Sequence, residues 1–259
     1  MRYLLKLGGS MLKNKKILQK IAKDIGSKKD DQFVIVHGGG PNISDLMKRL
    51  GKEPVFVDGL RYTDQETMDI VEMALALTNN HLVLLLNQYI PKVIGINGIS
   101  LKIIVAKKKG TEGDLGYVGE VESVNVSEIE GLLSKNVLPV IASVASSKKN
   151  EIYNINADEV ASAIAARLSN LDAFIFVSDV GGVLRDVTDK NSIIDEITVK
   201  DAKEMIENKK IVGGMIPKIR SCIHAIECGV KKCYIVGEKT LDLNKLFKGE
   251  SVGTIIEKI

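Results

Sequence analysis

The sequence predicts an α/β fold in which helices cover both faces of a largely parallel sheet. Three observations carry this reading. Apolar runs of strand length alternate with amphipathic stretches of helical period from one end of the 259 residues to the other. Aromatic residues make up only 4%, with no Trp, whereas Val, Ile and Leu are abundant, as strands buried on both faces require. Three of the apolar runs end in glycines, at Gly8-Gly9, Gly38-Gly39-Gly40 and Gly181-Gly182. In open α/β sheets ligands sit beyond the C-terminal ends of strands, where these loops lie.

Taken in order, residues 4–7 form a strand that opens into the first glycine turn, and Ile17, Leu18, Ile21, Ala22 and Ile25 mark one face of a helix. Residues 33–37 form the next strand. The helix that follows the three glycines carries Ile43, Leu46, Met47 and Leu50 at i, i+3, i+4 and i+7, so its N-terminus and dipole favour an anion at that loop. Residues 55–57 are extended, Asp58-Gly59 turns, and the Thr63 to Glu66 spacing predicts a capping box before a long helix. Residues 92–96 form a strand loosened by Gly95 and Gly98, and residues 103–119 a hairpin or flap. A helix over 127–134 and a strand over 138–142 precede a small-residue helix over 159–168. Residues 173–178 form a fully apolar strand that runs into the third glycine loop. Thr198 caps a helix to Glu207, Gly213-Gly214 opens one over 215–228 that Gly229 stops, and strands over 232–236 and 252–256 close the chain.

The net charge of +3 with scattered lysines argues against a nucleic-acid partner, and the run Lys107-Lys108-Lys109 reads as a solvated turn. Cys222, Cys228 and Cys233 contain no C-x-x-C pair and read as reduced core thiols. The three histidines, His37, His81 and His224, are too dispersed for a metal site. No leader pattern and no apolar run of about 18 residues is seen, so the expectation is a cytoplasmic protein with no membrane segment.

None of the glycine loops has P-loop or dinucleotide spacing, yet together they suit phosphoryl transfer, which needs alignment and charge neutralisation more than covalent help. Lys6 at the end of an apolar run either meets an anion beside Gly8 and Gly9 or snorkels to solvent. Lys218 in the first turn of a helix opposes the dipole, which a bound phosphate would offset. Arg61 at a loop-to-helix junction is either a carboxylate clamp or a surface arginine, and Asp158 is either functional or an ordinary first-turn acid. His37 reads as an interior histidine bonding the loop backbone.

The motifs KLGGS, HGGGPN, GLRYTD, YNINAD, SDVGGVL and GGMIPK, in this order and spacing, resemble the amino acid kinase family across essentially the whole chain. The resemblance implies an open αβα sandwich around a mostly parallel, roughly eight-stranded sheet. An N-terminal lobe, residues 1–165, would bind an acyl amino acid and dimerise; a C-terminal lobe, residues 166–259, would bind ATP. It implies that Lys6 and Lys218 stabilise the transferring phosphoryl group and that Asp158 orients them. Gly8 and Gly9, with Gly38, Gly39 and Gly40, would donate N–H groups to phosphoryl and substrate. Arg61 would clamp the substrate carboxylate, with Asn154 and Asn156 on the acylated amino acid. Asp179, Val180, Gly181, Gly182, Val183 and Leu184, with Lys210, Ile211 and Val212, would hold ATP, whose phosphates carry Mg2+, and no protein metal site is implied.

The implied reaction is attack of the γ-carboxylate of N-acetyl-L-glutamate on the γ-phosphate of ATP, giving N-acetyl-L-glutamyl 5-phosphate for arginine biosynthesis. The chain departs from many members in having Asn79-Asn80 where they have Asn-Lys, and Gly98-Ile99-Ser100 where they have an acid after the glycine. A related branch acts on aminoadipate or glutamate linked to a carrier protein and has an insertion before Arg-Tyr-Thr; here Gly59-Leu60 precede Arg61-Tyr62-Thr63 directly, favouring the free acylated substrate. The strand starting at residue 2 leads to the expectation of a homodimer without arginine feedback. A non-catalytic nucleotide or amino-acid sensor is the alternative from another class, and the lysine pair speaks against it.

Overall fold

Alternation along the first strand sets the layers. In the computed structural model, which describes residues 1–110, 113–186 and 188–258, β1 (Arg2–Leu7) lies in the centre of the main sheet. Its Tyr3, Leu5 and Leu7 point to one face and Leu4 to the other, and Lys6 shares the Leu4 side because side chains alternate with period two. The rest of the first half follows as α1 (Lys15–Gly26), β2 (Gln32–His37), α2 (Gly40–Arg49), a short hairpin of β3 (Phe56–Val57) and β4 (Leu60–Arg61), α3 (Gln65–Leu86) and β5 (Val93–Asn97). Then come β6 (Ile104–Lys108), β7 (Val118–Val124), α4 (Val126–Ser134), β8 (Leu138–Ala142), β9 (Val144–Ser146), β10 (Ile152–Ile155) and α5 (Ala157–Ala165). The second half contains β11 (Ala173–Ser178), β12 (Glu196–Thr198), α6 (Val199–Glu207), α7 (Met215–Glu227), β13 (Lys232–Gly237), α8 (Leu243–Phe247) and β14 (Thr254–Glu257).

The main sheet has eight strands in the order β12-β14-β13-β11-β1-β2-β8-β5. Six run parallel, while β14 is antiparallel to β13 and carries β12 with it. On one face Leu4, Val34, Val36, Phe174 and Phe176 meet α4, α5, α6 and α7; on the other Tyr3, Leu5, Phe33, Ile35 and Ile175 meet α1, α8 and the end of α3. This is the expected αβα sandwich. Phe174 and Phe176 are fully buried and each contributes roughly 2 kcal/mol by burial.

Several expectations need correction. The hairpin read over 103–119 is β6 and β7, which close with β9 and β10 into a small four-stranded barrel; residues 111 and 112 of that reading lie outside the described residues. The cap of α3 is Asp64, whose carboxylate accepts the Thr67 N–H, while Thr63 instead donates to the Arg61 carbonyl. α3 is long and apolar enough, by length and composition alone, to cross a membrane, although Glu72, Thr78, Asn79, Asn80 and His81 interrupt it, so it is no unbroken apolar run. It packs here as a core helix against α1, α2, β5 and β8. The small-residue helix begins at Ala157, so Asp158 sits inside its first turn. Lys107 and Lys108 are solvated as expected but form the exposed end of β6 and not a turn, and with Lys109 they pair with Glu120, Asp114 and Glu159. Of the thiols, Cys222 and Cys233 are buried but Cys228 is exposed.

Candidate active site

The first glycine loop leaves β1 on the α5 and α7 side of the sheet, and Lys6 projects there with only 8% of its surface exposed. A buried ammonium needs a partner. Asp158, in the first turn of α5, supplies it: its Oδ1 lies 2.5 Å from Lys6 Nζ, and its Oδ2 accepts from Lys218 Nζ, on the first turns of α7, at 3.1 Å. Burial alone would raise the Asp158 carboxyl, but the two ammoniums outweigh it and hold it below the usual carboxylate range. One carboxylate therefore holds two lysines side by side and leaves the cluster with a net positive charge.

Around this cluster the loops converge. A Cβ on Gly9 would lie 2.6 Å from Pro41 Cδ, so the first two glycine loops abut, and only a residue without Cβ permits that approach. A Cβ on Gly38 would lie 3.1 Å from the Ala157 Cβ, which brings the second loop against the start of α5. The Gly8 N–H is spent on the Val177 carbonyl at 2.8 Å, so Gly8 is not the free donor expected of it. Among the described residues no acceptor is recorded for the N–H groups of Gly9, Gly39 and Gly40, and Gly39 is buried. Buried backbone donors are nearly always paired, so the Gly39 N–H points to a ligand, while Gly9 is half-buried and Gly40 is exposed at the first position of α2, where a helix leaves its N–H groups open.

Arg61, at the end of β4, is buried, with 7% of its surface exposed. Its Nη2 donates to the Gly40 carbonyl at 3.0 Å and to Ser44 Oγ at 2.8 Å, Nη1 approaches Met47 Sδ, and the guanidinium stacks 4.7 Å over the Phe56 ring. No carboxylate of the described residues pairs with it. Burial lowers its pKa, as expected for a cation lacking a counter-ion. Asn154 on β10 donates to Thr63 Oγ1 at 3.3 Å, whereas Asn156 caps α5 by accepting the Asp158 N–H at 2.8 Å, which gives it a structural task.

The third loop, residues 179–184, leaves β11 where Ser178 Cα would lie 3.4 Å from a Cβ on Gly8. The Gly181 carbonyl accepts from Thr240 Oγ1 at 2.8 Å, and the Val183 N–H donates to Thr254 Oγ1 at 2.7 Å. Gly253 supports this from below: its φ is +61°, and a Cβ there would collide with the Ile235 carbonyl. Lys210 and Val212 are exposed and Ile211 is buried just before α7; no hydrogen bond among the described residues links them to 179–184. Thr240, Thr254, Gly237 and Gly253 were not singled out by the sequence; Gly237, closing an apolar strand, repeats the signal that marked the other loops.

His37 is the interior residue expected. Its Nδ1 bonds the Gly38 carbonyl at 2.8 Å and its Nε2 meets Asn79 Nδ2 at 2.9 Å. Burial pushes the ring down to about 4 against the upward pull of the Gly38 carbonyl, so it is neutral at physiological pH. Among the described residues no group of three His, Cys, Asp or Glu side chains could hold a metal ion.

Residues 1–237 match the amino acid kinase family. The chain is 42% identical over 258 residues to a protein of Clostridium kluyveri named acetylglutamate kinase, covering 98% of this chain and 91% of that protein. It is 39% identical over 260 residues to one of the same name from Petrotoga mobilis, covering 98% and 87%. The crystal structure of smu.665 from Streptococcus mutans superposes with a TM-score of 0.80 at 30% identity, covering 100% of this chain and 99% of that one. With the fold, the paired lysines and this full-length similarity in agreement, the chain belongs to the amino acid kinase family.

Proposed function

We propose that the protein catalyses ATP-dependent phosphorylation of the γ-carboxylate of N-acetyl-L-glutamate, a step of arginine biosynthesis. The observation that carries this is the Lys6–Asp158–Lys218 cluster near the glycine loops, in which the N–H groups of Gly9, Gly39 and Gly40 have no acceptor among the described residues. It supports a site that gathers anions and neutralises a phosphoryl group in flight. The full-length relatives named acetylglutamate kinase supply the acceptor.

In this reading a γ-carboxylate oxygen forms a bond to the γ-phosphorus while the bond from that phosphorus to the β,γ-bridging oxygen breaks, and ADP departs with the electron pair. The nucleophile is already ionised at neutral pH, so no general base is needed. Catalysis then rests on alignment and charge. Lys6 and Lys218 neutralise the equatorial oxygens, Asp158 keeps the two ammoniums from repelling one another, and Gly9 and Gly39 add backbone donors. Arg61 grips the acceptor's α-carboxylate, a role that suits a buried guanidinium with no acidic partner among the described residues, and Asn154 bonds the acylated amino acid. Residues 1–165 take the acceptor and residues 166–259 take ATP on 179–184 and 210–212. Magnesium would arrive with the nucleotide, bound through its phosphates, and would help to neutralise the transferring charge.

We place the protein in the cytoplasm as a homodimer. Met73, Leu77 and Leu84 form an exposed apolar stripe on α3 beside the edge strand β5, which carries the exposed Ile94. ADP release compared across N-acetyl-L-glutamate, free L-glutamate, aspartate and N-acetyl-aminoadipate tests the assignment. Turnover led by N-acetyl-L-glutamate is expected; turnover with none of them, from protein that binds ATP, contradicts it and points to a carrier-linked acceptor or a sensor.

A further inference from the structure

The second glycine loop is held from behind by a chain of hydrogen bonds that starts deep in the sheet. Asn79, on the buried side of α3, donates through Nδ2 to the Val140 carbonyl at 2.9 Å and approaches the Ile96 carbonyl at 3.3 Å. The same amide reaches His37 Nε2 at 2.9 Å, although the two residues are 42 positions apart. A side-chain amide nitrogen can only donate, so Nε2 must be the bare nitrogen of the ring and the proton sits on Nδ1. That N–H then donates to the Gly38 carbonyl, which can only accept. The two observations fix one tautomer independently, from opposite ends of the ring.

Gly95 fits the same device. A Cβ there would land on Asn79 Oδ1 and lie 2.9 Å from Val83 Cγ2, so β5 can pass α3 only with glycine at this position. Gly38 is the first residue of the loop whose next two N–H groups, on Gly39 and Gly40, lack an acceptor among the described residues. Gly39 is packed just as closely, since a Cβ there would lie 2.6 Å from Leu75 Cδ2. Neither Asn79 nor His37 touches the cluster of Lys6, Asp158 and Lys218, so any influence on the reaction passes through the loop backbone.

We propose that Asn79 and His37 are positioning residues for phosphoryl transfer: Asn79, anchored on sheet carbonyls, sets the His37 tautomer, and the Nδ1–H fixes the Gly38 carbonyl so that the Gly39 and Gly40 N–H groups face the cleft. The proposal rests on the kinase reading and deepens it. It explains what the Asn at position 79 does irrespective of the residue that follows it, because Asn79 is buried against the ring while Asn80 is exposed.

The test separates donor from volume. His37→Asn keeps an N–H where Nδ1 was, whereas His37→Leu fills the space without a donor. With MgATP and N-acetyl-L-glutamate, His37→Leu should lower kcat about a hundredfold, the usual effect of misplacing one oxyanion-type donor, with a smaller change in KM for ATP. His37→Asn should recover most of that loss. Equal losses in the two variants, or no loss in His37→Leu, would overturn the proposal. Ring 15N shifts of the wild-type protein should show a protonated Nδ1 and a bare Nε2, and Asn79→Leu should abolish that single tautomer. An Nε2-protonated ring in the wild type would overturn it without any enzyme assay. Because the tautomer is read without substrate, failure of N-acetyl-L-glutamate as acceptor would count against the functional reading and not against this assignment; the kinetic comparison is then made with whichever acceptor turns over.

Discussion

Acid should unfold this protein partly through one histidine. His37 has an ordinary pKa of 6.5 when exposed and about 4 in the fold, because burial disfavours the imidazolium more than the Gly38 carbonyl favours it. Between these values the unfolded chain binds a proton that the native state does not, so stability falls as pH falls. The contribution is complete above the unfolded value and is lost progressively toward the folded one. Integrating the linkage between about pH 7 and about pH 4.5 gives a loss of about 2.5 kcal/mol from this ring alone. Asp158 also has a lowered pKa, but its contribution disappears in a lower window, below the ordinary aspartate value of 3.8. Urea unfolding of wild type and His37→Asn across this range isolates the effect. The variant should be less stable near neutrality and show a flatter pH dependence, the gap between the two narrowing by about 2.5 kcal/mol on acidification. Parallel pH profiles would refute the claim that a buried neutral ring carries this term.

Three further outcomes follow from contacts. Arg61→Gln should raise KM for N-acetyl-L-glutamate by about a hundredfold, equivalent to a lost charged hydrogen-bond pair, and leave KM for ATP nearly unchanged; an unaltered acceptor KM would remove Arg61 from the carboxylate. Gly95→Ala should lower stability by about 1–3 kcal/mol in urea unfolding, because its Cβ falls on Asn79 and the locked amide must move; a neutral substitution would show that the amide is free to turn. Leu77→Glu, on the exposed α3 stripe, should convert a dimer to a monomer in light scattering, and an unchanged mass would place any subunit contact elsewhere.

The layers of the fold were legible because each main strand except β12 is an apolar run and each long helix carries its own stripe. What was missed is short or depends on distant partners. β9 and β10 span three and four residues, and their barrel closes through pairings with β6 and β7 that no local pattern announces. The five-residue α8 is held by the Asp242 cap and by burial of Leu243, Leu246 and Phe247. The cap of α3 moved from Thr63 to Asp64 because Thr63 is occupied with the Arg61 carbonyl and the barrel.

In the site, Lys6 stood out as a charge in an apolar run, and its partner Asp158 is 152 positions away. Whether Arg61 was a clamp or a surface residue could not be read locally, since its burial is created by Ser44, Met47 and Phe56. Gly8 looked like a free donor, yet hydrogen bonding with β11 extends one residue past β1 and consumes its N–H. Gly95 looked like a loosened strand end and is a close-packing position against Asn79.

The most direct test of the central claim is hydroxylamine trapping of acyl phosphate with MgATP and N-acetyl-L-glutamate, run on wild type, Lys6→Ala and Lys218→Ala with melting curves alongside. Wild type should form hydroxamate, and each variant should lose about a hundredfold to a thousandfold in kcat while remaining folded. Near-native hydroxamate formation by either folded variant would show that the cluster around Asp158 is not where the phosphoryl group is transferred.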